Sequence, residues 1–221
     1  MKYKKIILLI LIYFLKLNNL HSEEIVFKSE NIQILDQGNV IRAFEVEAEI
    51  KSKKIFISGK NSVYRKKIKE LTMTDRVKVN DDYNDIILKG DKLIYDIDLD
   101  IFKSKGKIFI NVKNKYDIYS KNLIFNRKEN IIFSNNETTI KDRKGNVLNL
   151  EKKFRFNLDE EIISSNKINL IDNNNNNFSF NEAKINLKTN EIVGKDLKID
   201  FVDNYFGNPK NDPKLRGKSV I

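Results

Sequence analysis

Three aspartates at alternate positions, Asp96-Ile97-Asp98-Leu99-Asp100, carry the opening spacing of a calcium-binding loop. Such a loop needs glycine at its sixth position for the sharp turn and a bidentate glutamate at its twelfth. Ile101 and Lys107 stand there instead, so the run reads as a charged turn. Asp81-Asp82 and Asp159-Glu160-Glu161 could in principle supply the acid and base of a glycoside hydrolase. Both clusters lie in turn-like sequence, where acids are normally solvated. The single histidine, His21, lies near the N-terminus, and cysteine is absent. A chain without these two residue types in its body lacks the commonest general base, the thiol nucleophile, disulfides and almost every zinc site. There is no Gly-rich phosphate loop, no Gly-x-Ser-x-Gly elbow and no RNP-type aromatic sequence. The expectation is a protein that is not an enzyme, holds no metal or cofactor and does not bind nucleic acid.

The elements behind these residues are strands. Phe44, Val46, Ala48 and Ile50 alternate with Glu45, Glu47 and Glu49, the period of a sheet with one wet face. The same alternation recurs at Ile55 and Ile57, at Ile108, Ile110 and Val112, at Phe178 and Phe180, and at Leu197, Ile199 and Phe201. Turn-forming runs separate the strands: Gln37-Gly38-Asn39, Asn80-Asp81-Asp82, Lys105-Gly106, Lys144-Gly145-Asn146 and the asparagine tract Asn173 to Asn177. The only prolines, Pro209 and Pro213, lie in the tail, and a proline-free body suits paired strands.

From Val46 to Phe201 one motif recurs about five times. Leu93-Ile94-Tyr95-Asp96 leads to Ile101-Phe102, Leu123-Ile124-Phe125-Asn126 to Ile131-Ile132, Phe154-Arg155-Phe156-Asn157 to Ile162-Ile163, and Ala183-Lys184-Ile185-Asn186 to Ile192-Val193. Tyr95, Phe125 and Phe156 are thirty and thirty-one residues apart. A fixed period of this size marks stacked supersecondary units that cannot bury their apolar faces alone. The unit is a β-hairpin, so the fold class is all-β, an elongated stack of strand pairs in one domain over residues 23–203.

Residues 1–22 read as a secretory signal peptide: Lys2, Lys4 and Lys5, then an apolar run from Ile6 to Leu15, then Ser22. Ten apolar residues closed by Lys16 fall short of the roughly 20 needed to span a bilayer. Losing this segment would lower the formal charge from +10 to +6, a moderate excess carried mostly by lysine. That excess suits a lysine-solvated surface as well as a polyanion partner. Residues 204–221, rich in Pro, Gly and Lys, read as a C-terminal linker.

Leu93, Tyr95, Leu123, Phe125, Phe154, Phe156, Ala183 and Ile185 fall on one side of successive hairpins, with Val46, Ala48 and Ile57 on the earlier strands. In a closed sandwich they fill the core. In an open repeated sheet they make a continuous apolar trough wide enough for acyl chains, and this stripe is the candidate lipid-binding site.

The repeat, x-x-apolar-x-aromatic-Asp/Asn followed by an Ile/Val-x-Gly-type strand, resembles the OstA-like repeats of periplasmic lipopolysaccharide-transport proteins. Its best copy runs from Phe180 to Lys195 and contains Ala183-Lys184-Ile185-Asn186 and Ile192-Val193-Gly194. The tail Phe206-Gly207-Asn208-Pro209 to Leu215-Arg216-Gly217 resembles the segment joining the periplasmic domain to the barrel in LPS-assembly proteins of the LptD type. The resemblance implies a twisted, V-shaped β-jelly roll whose interior receives lipid A acyl chains, placed in the periplasm and associated with the outer membrane. It implies as partners lipopolysaccharide, further Lpt-type jelly rolls paired edge to edge, and an outer-membrane barrel with its lipoprotein plug. LptD continues into a barrel whereas this sequence stops at Ile221. A stand-alone LptA- or LptC-like bridge subunit is therefore the alternative, and a ligand-free structural envelope β-protein is the alternative outside the class.

Overall fold

The alternating segments fold into fifteen strands in a computed structural model that describes residues 25–203, 205–207 and 214–220. They are β1 (Ile25–Leu35), β2 (Val40–Ile50), β3 (Ile55–Arg65), β4 (Glu70–Asp81), β5 (Ile86–Asp96), β6 (Ile101–Val112), β7 (Tyr116–Lys121), β8 (Ile124–Asn126), β9 (Ile131–Ser134), β10 (Thr138–Asp142), β11 (Val147–Asn157), β12 (Ile162–Ile171), β13 (Asn177–Asn186), β14 (Glu191–Asp200) and β15 (Lys214–Val220). The only helical turns described are three 3₁₀ turns in the N-terminal hairpins, so the all-β class holds. The expected signal peptide, residues 1–22, lies outside the described residues.

The strands join in one antiparallel sheet that follows chain order, with β8 and β9 a short detour. The sheet nevertheless buries one of its faces almost completely: Ala48, Leu71, Leu88, Ile110, Phe125 and Phe156 are 0 % exposed. A single layer cannot hide its own face, so the sheet must fold over on itself. The fold line runs through the middle of each long strand. There the ladder is broken by bulges between Ser58 and Asn61, Thr74 and Val77, Gly90 and Lys92, and Lys152 and Arg155. Left-handed residues occupy the same line: Glu45, Asp75, Arg76, Lys153, Lys167 and Asp196. Bulges bend a strand and sharpen its twist. A row of them creases the meander lengthwise into a two-walled β-jelly roll with its apolar face inside.

Turn chemistry fixes the period. Asp96, Asn126, Asn157 and Asn186 each accept a backbone N–H two or three residues on, from Leu99, Glu129, Asp159 and Lys188. Each hairpin ends in a left-handed residue, Asp100, Asn130, Glu161 or Asn190. The turns then stack. Backbone N–H groups of Ile97, Arg127, Leu158 and Leu187 donate to the carbonyls of Lys69, Asp100, Asn130 and Glu161 in the turn before. On the other rim Asp82 and Lys113 donate to Lys54 and Asp85. Each wall thus ends in a hydrogen-bonded row of turns, and the Asp/Asn of the repeat is the residue that shapes each one.

The sheet runs on past residue 203. Lys214–Val220, inside the segment expected to be a linker, forms β15 and pairs with β14, Leu215 opposite Ile199 and Gly217 opposite Leu197. The path ends on β1 and β15, each paired on one side only among the described residues.

Candidate functional site

Cross-strand register turns the repeat into a line. On the first wall Leu71 faces Tyr95, Tyr95 faces Phe102, Phe102 faces Phe125 and Phe125 faces Ile132. The line continues through Phe156, Ile163 and Ile185 to Ile192. Tyr95 and Phe102 stack with ring centroids 4.3 Å apart, and Phe125 lies 6.4 Å beyond Phe102. The second wall carries its own line: Ala48, Ile57, Val79, Leu88, Ile110 and Ile118, then Ile140, Leu148, Leu170 and Phe178.

All eleven residues of the expected apolar stripe lie inside. Leu93, Tyr95, Leu123, Phe125, Phe154, Phe156, Ala183 and Ile185 belong to the first wall, and Val46, Ala48 and Ile57 to the second. None is more than 5 % exposed, and all belong to one core cluster. The outward neighbours Ile94 and Ile124 are half-buried and Arg155 is exposed, as alternation requires. In this structure the two walls meet over most of their length, so the stripe is a closed interior. The hydroxyl of Tyr95 donates to Asp100 at 2.6 Å, which commits that side chain to the rim as well as to the core.

Where the two rows of turns meet, polar side chains lace the mouth shut. Arg127, from the β8–β9 turn, donates through Nε and Nη2 to Asp81 at 2.7 and 3.0 Å and through Nη1 to both oxygens of Asp100 at 2.8 Å. Its Nη2 also reaches the carbonyl of Lys53 at 3.1 Å, so every N–H of the guanidinium has an acceptor. Asp81 and Lys53 belong to the second wall, Arg127 and Asp100 to the first. Burial pulls the guanidinium pKa down, but the hydrogen bonds and charges of Asp81 and Asp100 outweigh it and hold the group firmly ionised. Lys53 adds a second stitch, its Nζ donating to the carbonyl of Ile97 at 2.7 Å.

A lighter stitch lies further along. Glu161, at the end of the β11–β12 turn, accepts from Tyr116 Oη at 3.2 Å and Lys115 Nζ at 3.4 Å, both from the opposite rim. Burial first, then the charge and hydrogen bond of Glu161, push the Tyr116 hydroxyl up to about 12. Beside this stitch the rims part into a cleft of about 660 Å³. Leu148 and Leu170 of the second wall and Ile185 and Ile192 of the first form its floor, and Lys115, Arg143, Lys144 and Lys188 stand around its edge.

These contacts correct the reading of the acids. Asp81 and Glu161, expected to be solvated turn carboxylates, are 1 % and 9 % exposed and tie the walls together. Within the calcium-like run the three aspartates go separate ways: Asp96 accepts from the Leu99 backbone, Asp98 pairs with Lys69, and Asp100 holds Arg127. A signal was present in the sequence. Arg127 stands at the repeat position filled by Ile97, Leu158 and Leu187, and Asp81 continues the inward series Val77 and Val79. A charge at an inward repeat position calls for a partner at another.

No family model matches the chain, and no curated protein matches it. Among solved structures, it is similar to LptH, the LptA homologous periplasmic component of the lipopolysaccharide transport device from Pseudomonas aeruginosa. The match has 10 % identity and a TM-score of 0.27, and covers 65 % of this chain and 82 % of that one.

Proposed function

We propose that this protein is a carrier of lipopolysaccharide, a periplasmic component of the bridge that delivers it to the outer membrane. The observation that carries the reading is the unbroken apolar line from Leu71 to Ile192, crossing nine strands of the first wall from β4 to β14 in register and faced by a second line on the other wall. Acyl chains laid along it would leave water at about 25 cal/mol per Å² of apolar area. Sugars and phosphates would remain at the lysine-rich rims. Nothing in such a mechanism requires a catalytic group, and the resemblance of the repeat to OstA-like sequences points the same way.

The two ends of the sheet are the docking surfaces in this reading. Unpaired edge strands are a hazard unless covered. β1 also shows exposed apolar side chains at Ile32, Ile34 and Leu35, which suits pairing with another Lpt-type jelly roll by strand addition. The resemblance of the tail from Phe206 to Gly217 to the LptD segment supports a place next to an outer-membrane barrel and its lipoprotein plug.

Site-specific photocrosslinking in a Gram-negative host tests the carrier role. Probes at Tyr95, Phe125 and Phe156 should capture lipopolysaccharide, and probes at the outward positions Ile94, Ile124 and Arg155 should not. Failure of every interior position to capture it would leave a ligand-free structural envelope protein as the reading.

A further inference from the structure

The Arg127 and Glu161 stitches across the mouth differ in strength, and the difference places an entrance. At the Arg127 stitch the Arg127 side chain is 5 % exposed and the Asp81 side chain 0 %, with five hydrogen bonds converging on the guanidinium. At the Glu161 stitch the Glu161 side chain is 11 % exposed, but the side chain of its cation, Lys115, is 57 % exposed and lies 3.4 Å away. The charge-assisted bond to an exposed lysine is the weaker of the two, because water competes for the ammonium. The cleft opens beside this weaker stitch.

We propose that the cleft between the Lys115–Arg143 rim and the Glu161–Lys188 rim is the side portal through which an acylated lipid bearing phosphate enters the interior; this rests on the carrier reading and adds its site of entry. The volume of about 660 Å³ falls within the roughly 300–1,000 Å³ of small-ligand clefts. Its floor is continuous with both apolar lines, since Leu148 and Leu170 belong to one and Ile185 and Ile192 to the other. Four cations against Asp142, Glu161 and Asp117, the last of which holds Arg143 at 2.7 Å, leave the edge net positive by one charge, complementary to a phosphate head. Asp142 is occupied by its own turn, accepting from the backbones of Lys144 and Asn146. Glu161 is the exchangeable partner. A phosphate reaching Lys115 replaces Glu161 there, the stitch loosens, and the rims part over the floor while the Arg127 stitch holds the remainder closed.

The test is equilibrium binding of fluorescent lipopolysaccharide to the full chain, with circular dichroism confirming the fold of each variant. Lys115→Gln with Lys144→Gln should weaken binding at least fivefold, and Glu161→Gln should strengthen it severalfold by freeing Lys115. The control Lys78→Gln with Lys89→Gln removes the same charge from exposed positions on the outer face and should leave binding unchanged. Equal weakening by the two double variants overturns the portal and leaves the carrier reading standing. An unchanged affinity in Glu161→Gln also overturns it. Competition by lipid A and by phosphatidic acid identifies the source of the ligand: displacement by lipid A alone supports a portal selective for lipopolysaccharide, displacement by both supports a portal open to acylated phosphates in general, and displacement by neither overturns it. Absence of lipopolysaccharide binding to the wild-type chain overturns portal and carrier together.

Discussion

Arg127 and Asp81 lie 46 residues apart in the chain and 2.7 Å apart in space, on opposite walls of the folded sheet. Their contact ties the two rows of turns together at a point where neighbouring hairpins use apolar side chains. Two ionised groups withdrawn from water cost more than their attraction returns unless the geometry is near ideal, and here the fork is fully used. Attraction and desolvation therefore come close to offsetting one another, and the pair is expected to specify how the walls meet more than to add stability over an apolar alternative.

Removing one member alone should be costly. Arg127→Ala leaves the Asp81 carboxylate buried without its cation, with Asn84 still donating to it, and the expected loss is about 3–5 kcal/mol in urea unfolding. The double variant Arg127→Met with Asp81→Leu should recover most of it, since both positions stand in apolar series. A single-variant loss under about 1 kcal/mol would show that the pair is solvated.

Much of this architecture can be read from the sequence because it is local. Alternation sets the strands, and the thirty-residue spacing of Tyr95, Phe125 and Phe156 reflects hairpins whose Asx residues cap stacked turns. The apolar line is legible for the same reason, and all eleven residues of the stripe are inside. The crease is not legible, because non-glycine residues such as Glu45, Lys153 and Lys167 adopt the left-handed conformation that tertiary folding imposes. β15 was hidden as well: Lys214, Arg216 and Lys218 alternate with Leu215, Gly217 and Ser219, too little apolar signal for a strand. It is held as an edge strand by its backbone pairing to β14. The burial of Asp81 and Glu161 depends on partners 46 and 45 residues away, which turn chemistry cannot reveal.

The Tyr116–Glu161 contact predicts a limit at alkaline pH. With its hydroxyl held up to about 12 in the fold and near 10 in the unfolded chain, Tyr116 stabilises the fold fully below pH 10. That contribution is lost as pH rises from 10 through 12, roughly 2–3 kcal/mol in all. Stability curves for the wild type and Tyr116→Phe, measured from pH 9 to 12, should differ by a component falling across that window. In Glu161→Gln the tyrosinate absorbance attributable to Tyr116 should appear at lower pH than in wild type, yet still above 10, because burial remains. A Tyr116 titration unaffected by Glu161→Gln would count against the contact.

Adjacent residues on β8 should respond unequally to truncation. Phe125 is fully buried in the apolar line, and Phe125→Ala should cost about 3–5 kcal/mol through lost burial and the cavity left behind. Ile124 points outward and is half-buried, so Ile124→Ala should cost clearly less, about 1 kcal/mol. Phe125→Asp should be worse than either, because the carboxylate would be desolvated without a partner. Equal losses at 124 and 125 in denaturant unfolding would contradict the face assignment.

Gly194 closes the best copy of the repeat for a steric reason. A Cβ there would meet the Phe180 ring at 2.6 Å and the Ala183 Cβ at 3.1 Å. The glycine lets Phe180 lie across β14 at the point where Ala183 faces Gly194 in register. Gly194→Val forces either the ring or the strand to move, and overpacking of this kind costs about 1–3 kcal/mol. Gly194→Ala should be intermediate, since its single methyl already meets the ring, and Phe180→Leu should relieve part of the Gly194→Val loss by withdrawing the aromatic edge. Thermal or urea unfolding of the three variants and the Gly194→Val/Phe180→Leu pair gives a double-mutant cycle. A coupling of at least about 0.5 kcal/mol is expected for residues in contact. Strict additivity would mean that the glycine is needed for its backbone alone and that Phe180 packs elsewhere.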